Sequence, residues 1–324
     1  MKRYPMKLSY VPKEIIWGGD RLKSKYNKSA DFEKIAESWE LTARHDGMSH
    51  VTNGTYAETS LQDLITRFPE FVSHNFNGGC FPLLIKFIDA ADDLSVQVHP
   101  DDIYAGLHED SLGKTEMWYI VEADDDASII YGLANDISRE NFIKALHGEF
   151  SEALLNKCPV KRGDVFYIPA GQVHAICRGS LIAEIQQNSN VTYRIYDYGR
   201  LGFDGKPREL HIERASDTVK AYTSEDIFTL VCEGNKSRRK DLAIGKVLCN
   251  SKYFRVTLLS QESKSVFTVD EKSFVAMLFT DAKSTFVSAG SVTVKANKGD
   301  CIFIPAGTGL VTVDGSCEAL ISEI

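Results

Sequence analysis

The sequence lacks paired cysteines, long apolar runs and an excess of positive charge, and each absence removes a class of protein. Its seven cysteines, Cys80, Cys158, Cys177, Cys232, Cys249, Cys301 and Cys317, are odd in number and scattered, with no Cys-x-x-Cys pair. That argues against a disulfide framework and against a thiolate zinc site, and leaves them as small buried hydrophobes. No apolar run reaches the roughly 18 residues that a membrane span needs. The N-terminus, MKRYPMKLSYVPKEIIW, is charged but has neither an apolar core nor a small-residue cleavage site. A cytoplasmic protein without membrane contacts is therefore expected. With 37 basic and 45 acidic residues the net charge is −8, so no global basic surface attracts nucleic acid. The cations that an anionic ligand needs must be clustered locally.

What is present is a chain of 324 residues, about two ordinary domains in length. Short segments rich in Val, Ile, Phe and Tyr (PLLIKFI, LSVQVH, MWYIVE, ASIIYG, DVFYIPA, LIAEIQQ) recur between Gly, Pro, Asp and Asn. They predict a mainly β protein of antiparallel strands. A helical insertion is expected at 138–157, with Ser138 as N-cap and Phe142, Leu146, Phe150 and Leu154 on one face. A second helix is expected at 60–72, kinked or ended by Pro69. The polar stretch 213–240, containing EGNKSRRKDL, reads as a linker or exposed excursion. It divides the chain into a unit at 1–212 and a second strand-rich unit at 241–324.

The two units share a turn. RGDVFYIPAGQVHAI, from Arg162, is partly repeated in KGDCIFIPAGTGLVTV, from Lys298: Gly163, Asp164, Ile168, Pro169, Ala170 and Gly171 align with Gly299, Asp300, Ile304, Pro305, Ala306 and Gly307. This repetition is best explained by two jelly rolls of the cupin type. His174, however, falls opposite Leu310. In the first unit, Gln97 and His99 alternate along LSVQVH and so share one strand face, and Glu116 opens the next apolar strand. Together with His174 they make two imidazoles, a carboxylate and an amide, a donor set suited to Zn²⁺ or another first-row divalent ion. The plainer alternative is that Gln97 and Glu116 satisfy each other in a polar barrel around core histidines.

QVHPDD, GKTE, PAGQVHA and NSNVTYRIYDYGR, with WGG at 17–19 and FPLLIKFIDA at 81–90, together resemble the type I phosphomannose isomerases in their short bacterial form. The resemblance covers nearly the whole chain. It implies one metal ion, usually zinc, on Gln97, His99, Glu116 and His174, with the second unit free of ligands. It implies a catalytic arginine at Arg194, further catalytic groups at Lys114 and Glu184, phosphate contacts at Lys86 and Ser95, and Trp17 beside the pocket. The family often has Ser-Asp where this chain has Ser189-Asn190, which shifts the proton-transfer role toward Glu184 or Lys114.

The activity so implied is a metal-dependent aldose–ketose isomerisation of mannose 6-phosphate and fructose 6-phosphate through a cis-enediol. A small sugar phosphate is the expected partner, and a monomer or weak homo-oligomer the expected state. Two alternatives stand beside it: a non-haem iron cupin oxygenase, since two His and a carboxylate also suit Fe(II), and a non-catalytic sugar-phosphate-binding cupin.

Overall fold

The computed structural model describes residues 2–135, 137–233 and 244–324. Strands dominate, as the recurring β-branched segments predict, and every strand pairing is antiparallel. In the first unit a six-stranded sheet runs in the order Val165–Ile168, Glu116–Ala123, Ser180–Gln187, Leu83–Ala90, Glu37–Leu41, Val11–Lys13. A five-stranded sheet runs Leu155–Pro159, Ser128–Leu133, His174–Ile176, Val96–Val98, Tyr193–Tyr196. Trp118, Ile120 and Ile182 from the first sheet pack against Ile129 and Ile176 from the second, which closes a two-layer jelly roll. Leu83–Ala90 and Ser180–Gln187 are buried along their whole lengths, the polar side chains of Lys86, Asp89, Glu184, Gln186 and Gln187 included.

The second unit is one eight-stranded sheet built on two long strands, Val275–Ala289 and Gly309–Glu323. Register shifts between Phe279 and Asp281 and between Lys283 and Phe286 bend them, as bulges do, around a core that includes Met277, Phe279, Ile302, Ile304, Val311 and Val313. The shared turn is hydrogen-bonded alike in both units. Asp164 Oδ2 accepts from Lys161 N–H at 2.9 Å and Asp300 Oδ2 from Asn297 N–H at 2.7 Å. Gly163 and Gly299 stand at φ 89° and 88°, where a side chain is strained. The shared Gly-Asp pair is thus explained by the turn alone.

Three expectations are corrected, and a fourth, the helix at 60–72 ended by Pro69, is met. The helix at 138–157 is shorter: Ser138 does cap it, accepting from Asn141 N–H, but it runs only Arg139–Leu146. After Gly148 the chain forms one 3-10 turn and then the strand Leu155–Pro159, whose pairing with Ser128–Leu133 outcompetes helix continuation. The helix expected at 60–72 spans Leu61–Arg67, and Pro69 starts a separate 3-10 turn. The segment 213–240 is no simple linker. Ile212–Thr218 is a helix with Ala215 buried, and Lys220 N–H donates to Gly171 O; residues 234–240 lie outside the described residues. Finally, the N-terminus does not belong wholly to the first unit, because Met6–Lys7 pairs with Cys301–Ile304 of the second.

Besides that strand, several contacts join the units, among them an aromatic cluster and a buried lysine. Phe274 packs at a tilt against Phe81 and Phe303, with centroids 5.1 and 5.3 Å away. Lys28 Nζ, buried, donates to Glu40 Oε2 and to Gly299 O, both at 2.7 Å. Burial pushes the Glu40 carboxyl up while Lys28 opposes that shift, so removing the lysine strands a carboxylate and a carbonyl. Lys28→Ala is expected to cost about 3–5 kcal/mol of stability, read as a lowered urea midpoint by fluorescence.

Candidate metal centre and substrate cavity

His174 lies opposite Gln97 across an antiparallel pair, and His99 follows Gln97 by two positions. Glu116 opens a strand of the facing sheet. The pleat and the jelly-roll closure therefore deliver all four side chains to one point. His99 Nε2 and His174 Nε2 are 3.1 Å apart. Glu116 offers Oε2 at 3.5 Å from the first and Oε1 at 3.5 Å from the second. The Gln97 amide nitrogen is 3.3 Å from His174 Nε2, so its head reaches the same centre. His99, Glu116 and His174 are essentially without solvent exposure.

Both imidazoles are oriented from behind. His99 Nδ1 lies 2.9 Å from Val191 O and His174 Nδ1 lies 2.8 Å from Gln172 O. A carbonyl can only accept, so each ring carries its proton on Nδ1 and turns the Nε2 lone pair inward. Burial, reinforced by the Lys114 ammonium, holds His99 well below its ordinary range and His174 down to about 3, so both rings are neutral. Glu116 is raised to about 7 by burial and by the Glu184 carboxylate, and its Oε1 has no hydrogen-bond partner. Two converging lone pairs and an unpartnered buried carboxylate oxygen are a donor set that a divalent cation fits. Of the described residues, His99, Glu116 and His174 form the group whose ligand atoms lie within 4.8 Å of one another.

Above this centre opens a cavity of about 230 Å³ lined by Trp17, Lys86, Ser95, Gln97, Lys114, Glu184 and Arg194. Every remaining residue singled out from sequence is therefore in one place. Lys114 Nζ contacts Glu116 Oε2 and lies 2.9 Å from His99 Nε2 and 3.7 Å from Glu184 Oε1. Lys86 and Glu184 face each other across paired strands, with Nζ 3.1 Å from Oε1. Trp118 Nε1 donates to Glu184 Oε2 at 2.8 Å. Although burial alone would raise Glu184, Lys114 and Lys86 hold it below its usual range, so it is ionised. Lys86 is itself raised, the Glu184 and Glu37 carboxylates outweighing its burial.

Arg194 makes no ion pair among the described residues. Its Nη1 donates to Glu209 O at 2.7 Å and its buried Nε has no partner. Asp197, three residues on, is instead gripped by Arg208 through two hydrogen bonds and by Arg200. Sequence reasoning missed Arg208 and Glu37, which also line the cavity. Glu37 could have been found as a charge in the otherwise buried strand ESWEL; Arg208 lies in a loop without periodic pattern and carried no signal. Asn190 lines the rim and donates to Asp46 Oδ2 at 3.3 Å.

Comparison with known proteins agrees with this geometry. The family model for the phosphomannose isomerase type I catalytic domain matches residues 6–114. Mannose-6-phosphate isomerase ManA of Bacillus subtilis (strain 168) is 36% identical over 325 residues, 100% of both chains. A mannose-6-phosphate isomerase of Streptococcus mutans is 43% identical over 66% of this chain and 67% of that one. The crystal structure of the mannose 6-phosphate isomerase from Bacillus subtilis superposes with a TM-score of 0.87 at 33% identity, covering 99% of this chain and 100% of that chain. A zinc-bound mannose 6-phosphate isomerase shares the fold, with a TM-score of 0.73 at 16% identity over 98% of both chains.

The donor geometry yields a direct expectation. After dialysis against metal-free buffer, His174→Ala retains less than about a tenth of the wild-type metal content by elemental analysis, because removing one inner ligand leaves an incomplete set.

Proposed function

The chain belongs to the type I phosphomannose isomerases, and on that premise we propose that it interconverts mannose 6-phosphate and fructose 6-phosphate through a cis-enediol, using zinc. The observation that carries this reading is the joining of the His99–Glu116–His174 cluster to a cavity lined by Lys86, Lys114, Glu184 and Arg194. The isomerisation moves a proton between C2 and C1 and builds negative charge on the two adjacent oxygens. A zinc ion on Gln97, His99, Glu116 and His174 supplies Lewis-acid stabilisation of that charge when bound.

The remaining work falls to the chain's own side chains. Arg194 makes no ion pair among the described residues, and its guanidinium stabilises the developing enediolate from the cavity wall. Lys114 brings a second cation to the same oxygens. Glu184 transfers the proton: it is ionised, its Oε2 is fixed by Trp118 and its side chain lines the cavity. Lys86 keeps Glu184 charged, and with Ser95 and Arg208 it supplies the polar surroundings for the phosphate. Such clustered cations are what a dianion requires in a chain of net charge −8. Trp17 walls the apolar side. Neither alternative accounts for this combination: an oxygenase has no use for Lys114 and Arg194 in the cavity, and the relatives are named isomerases rather than binding proteins.

A coupled assay for fructose 6-phosphate formation tests the reading. The holoenzyme turns over mannose 6-phosphate, loses activity to a chelator and recovers it with added zinc. Arg194→Ala lowers kcat/KM by about 10²–10³-fold, as loss of a preorganised charge-stabilising group does, while its metal content stays at the wild-type level. Near-full activity in that variant would remove Arg194 from the mechanism.

A further inference from the structure

The cluster of His99, Glu116 and His174 lies wholly in the first unit, yet one hydroxyl of the second unit is wired to the segment that bears Lys114 and Glu116. Tyr253 sits in the turn between the strands Lys246–Asn250 and Arg255–Gln261. That turn is stiffened by Ser251 Oγ, which accepts from the N–H groups of Tyr253 and Phe254 at 3.3 and 3.2 Å. Tyr253 O–H donates to Asp102 Oδ2 at 2.8 Å. The other carboxylate oxygen, Asp102 Oδ1, accepts from Gly113 N–H at 3.0 Å and from Gln187 Nε2 at 2.9 Å. Gln187 in turn holds Thr115 from both sides. Its Oε1 accepts from Thr115 N–H and its N–H donates to Thr115 O, at 2.9 and 3.0 Å.

Thr115 stands between the two functional residues, so whatever fixes its peptide groups fixes where Lys114 Nζ and the Glu116 carboxylate point. The close approach is also built into the chain: a Cβ on Gly113 would lie 2.5 Å from Asp102 N, which only glycine avoids. We propose that Tyr253 is a positioning residue for the isomerase, acting through Asp102 and Gln187 to hold Lys114 and Glu116 in register with the metal centre. This rests on the isomerase reading of the cavity. Tyr253 touches no metal ligand. Without its hydroxyl, Asp102 keeps only the partners on Oδ1 and is free to turn, and the loosened Gln187 amide passes that freedom to Thr115. Chemistry that depends on sub-ångström placement suffers more than binding does.

The test uses the full-length holoenzyme with Tyr253→Phe, Asp102→Ala and the double variant, alongside the wild type loaded with Co²⁺ in place of the native metal. Tyr253→Phe is expected to lower kcat about tenfold, the scale of lost outer hydrogen bonds around metal sites, with KM within about twofold and metal content full. The double variant is expected to be no slower than Asp102→Ala, because both changes cut one path. The visible spectrum of the Co²⁺ form should shift in Tyr253→Phe, since the ligand field reports the orientation of Glu116. Wild-type kcat together with an unshifted spectrum in Tyr253→Phe, even with a lowered melting temperature, would reduce Tyr253 to a structural contact and overturn the proposal. Strictly multiplicative effects in the double variant would overturn the single path. A wild type that turns over no mannose 6-phosphate would refute the isomerase reading instead, and the Co²⁺ spectra would still decide the linkage.

Discussion

Everything in the first unit answers to one constraint, the convergence of two imidazole nitrogens and a carboxylate at a point without solvent. Such a cluster is costly for the folded chain. His99 and His174 must both stay neutral, their Nδ1–H groups must find carbonyls, and the Glu116 charge must be offset inside a low-dielectric wall. The backbone supplies the first two requirements through Val191 O and Gln172 O. The third is met by a chain of opposite charges running outward from Glu116: Lys114, then Glu184, then Lys86, then Glu37, whose Oε2 also accepts from Trp39 Nε1. Charges alternate in sign along this line, and Lys114 and Lys86 together hold Glu184 ionised against its burial. The cavity is therefore polarised throughout before any substrate arrives, which is the condition under which fixed charges do most for a developing anion.

The repeated turn shows how a fold and a site can be separated in one molecule. Glycine, aspartate and proline do the same backbone work in both copies, and the strand that leaves the turn begins with His174, buried, in one and passes through Leu310, about two-thirds exposed, in the other. The second unit has filled its interior with aliphatic and aromatic side chains and is packed onto the first through Phe274, Phe81 and Phe303. Its contribution is mechanical: a rigid body against which the first unit's loops are braced, at Gly299 by Lys28 and at Tyr253 by Asp102.

How much of this was legible beforehand follows from which interactions are local. Gln97, His99 and His174 could be brought to one point from sequence because alternation along a strand and a shared turn motif are short-range rules, and Glu116 because it opens an apolar strand. The roles of Arg194, Lys114, Glu184, Lys86, Ser95 and Trp17 came from resemblance and not from pattern. Arg208 was invisible, since a loop arginine acquires its position only from Asp197, a partner set by tertiary contact. The Tyr253–Asp102–Gln187 path joins residues that no spacing rule relates. The over-long helix at 138–157 failed for a related reason: Phe142 and Leu146 are buried at helical spacing, but beyond Gly148 the unpaired edge of Ser128–Leu133 offered a ladder that local propensity could not foresee. The N-terminal strand is the same case, captured by Cys301–Ile304 at the far end of the chain.

Asn190 is the position where family pattern and chain part, and its surroundings give the substitution a physical reason. Its Nδ2 donates to Asp46 Oδ2, and Asp46, despite some burial, is kept below the usual carboxylate range by two hydrogen bonds from Arg44. An aspartate at 190 would bring two ionised carboxylates to about hydrogen-bond distance on a rim where Arg44 already serves only one of them, and like charges so close cannot both stay ionised. The amide instead keeps the rim closed by donating where a carboxylate would repel. A carboxylate does lie further inside: Glu184 is ionised because two lysines sustain it and oriented because Trp118 grips one oxygen, which are the properties the proposed proton-transfer role requires. The change at 190 and the lysine pair at 86 and 114 are thus parts of one electrostatic arrangement, in which the charge lost from the rim is held instead within the cavity.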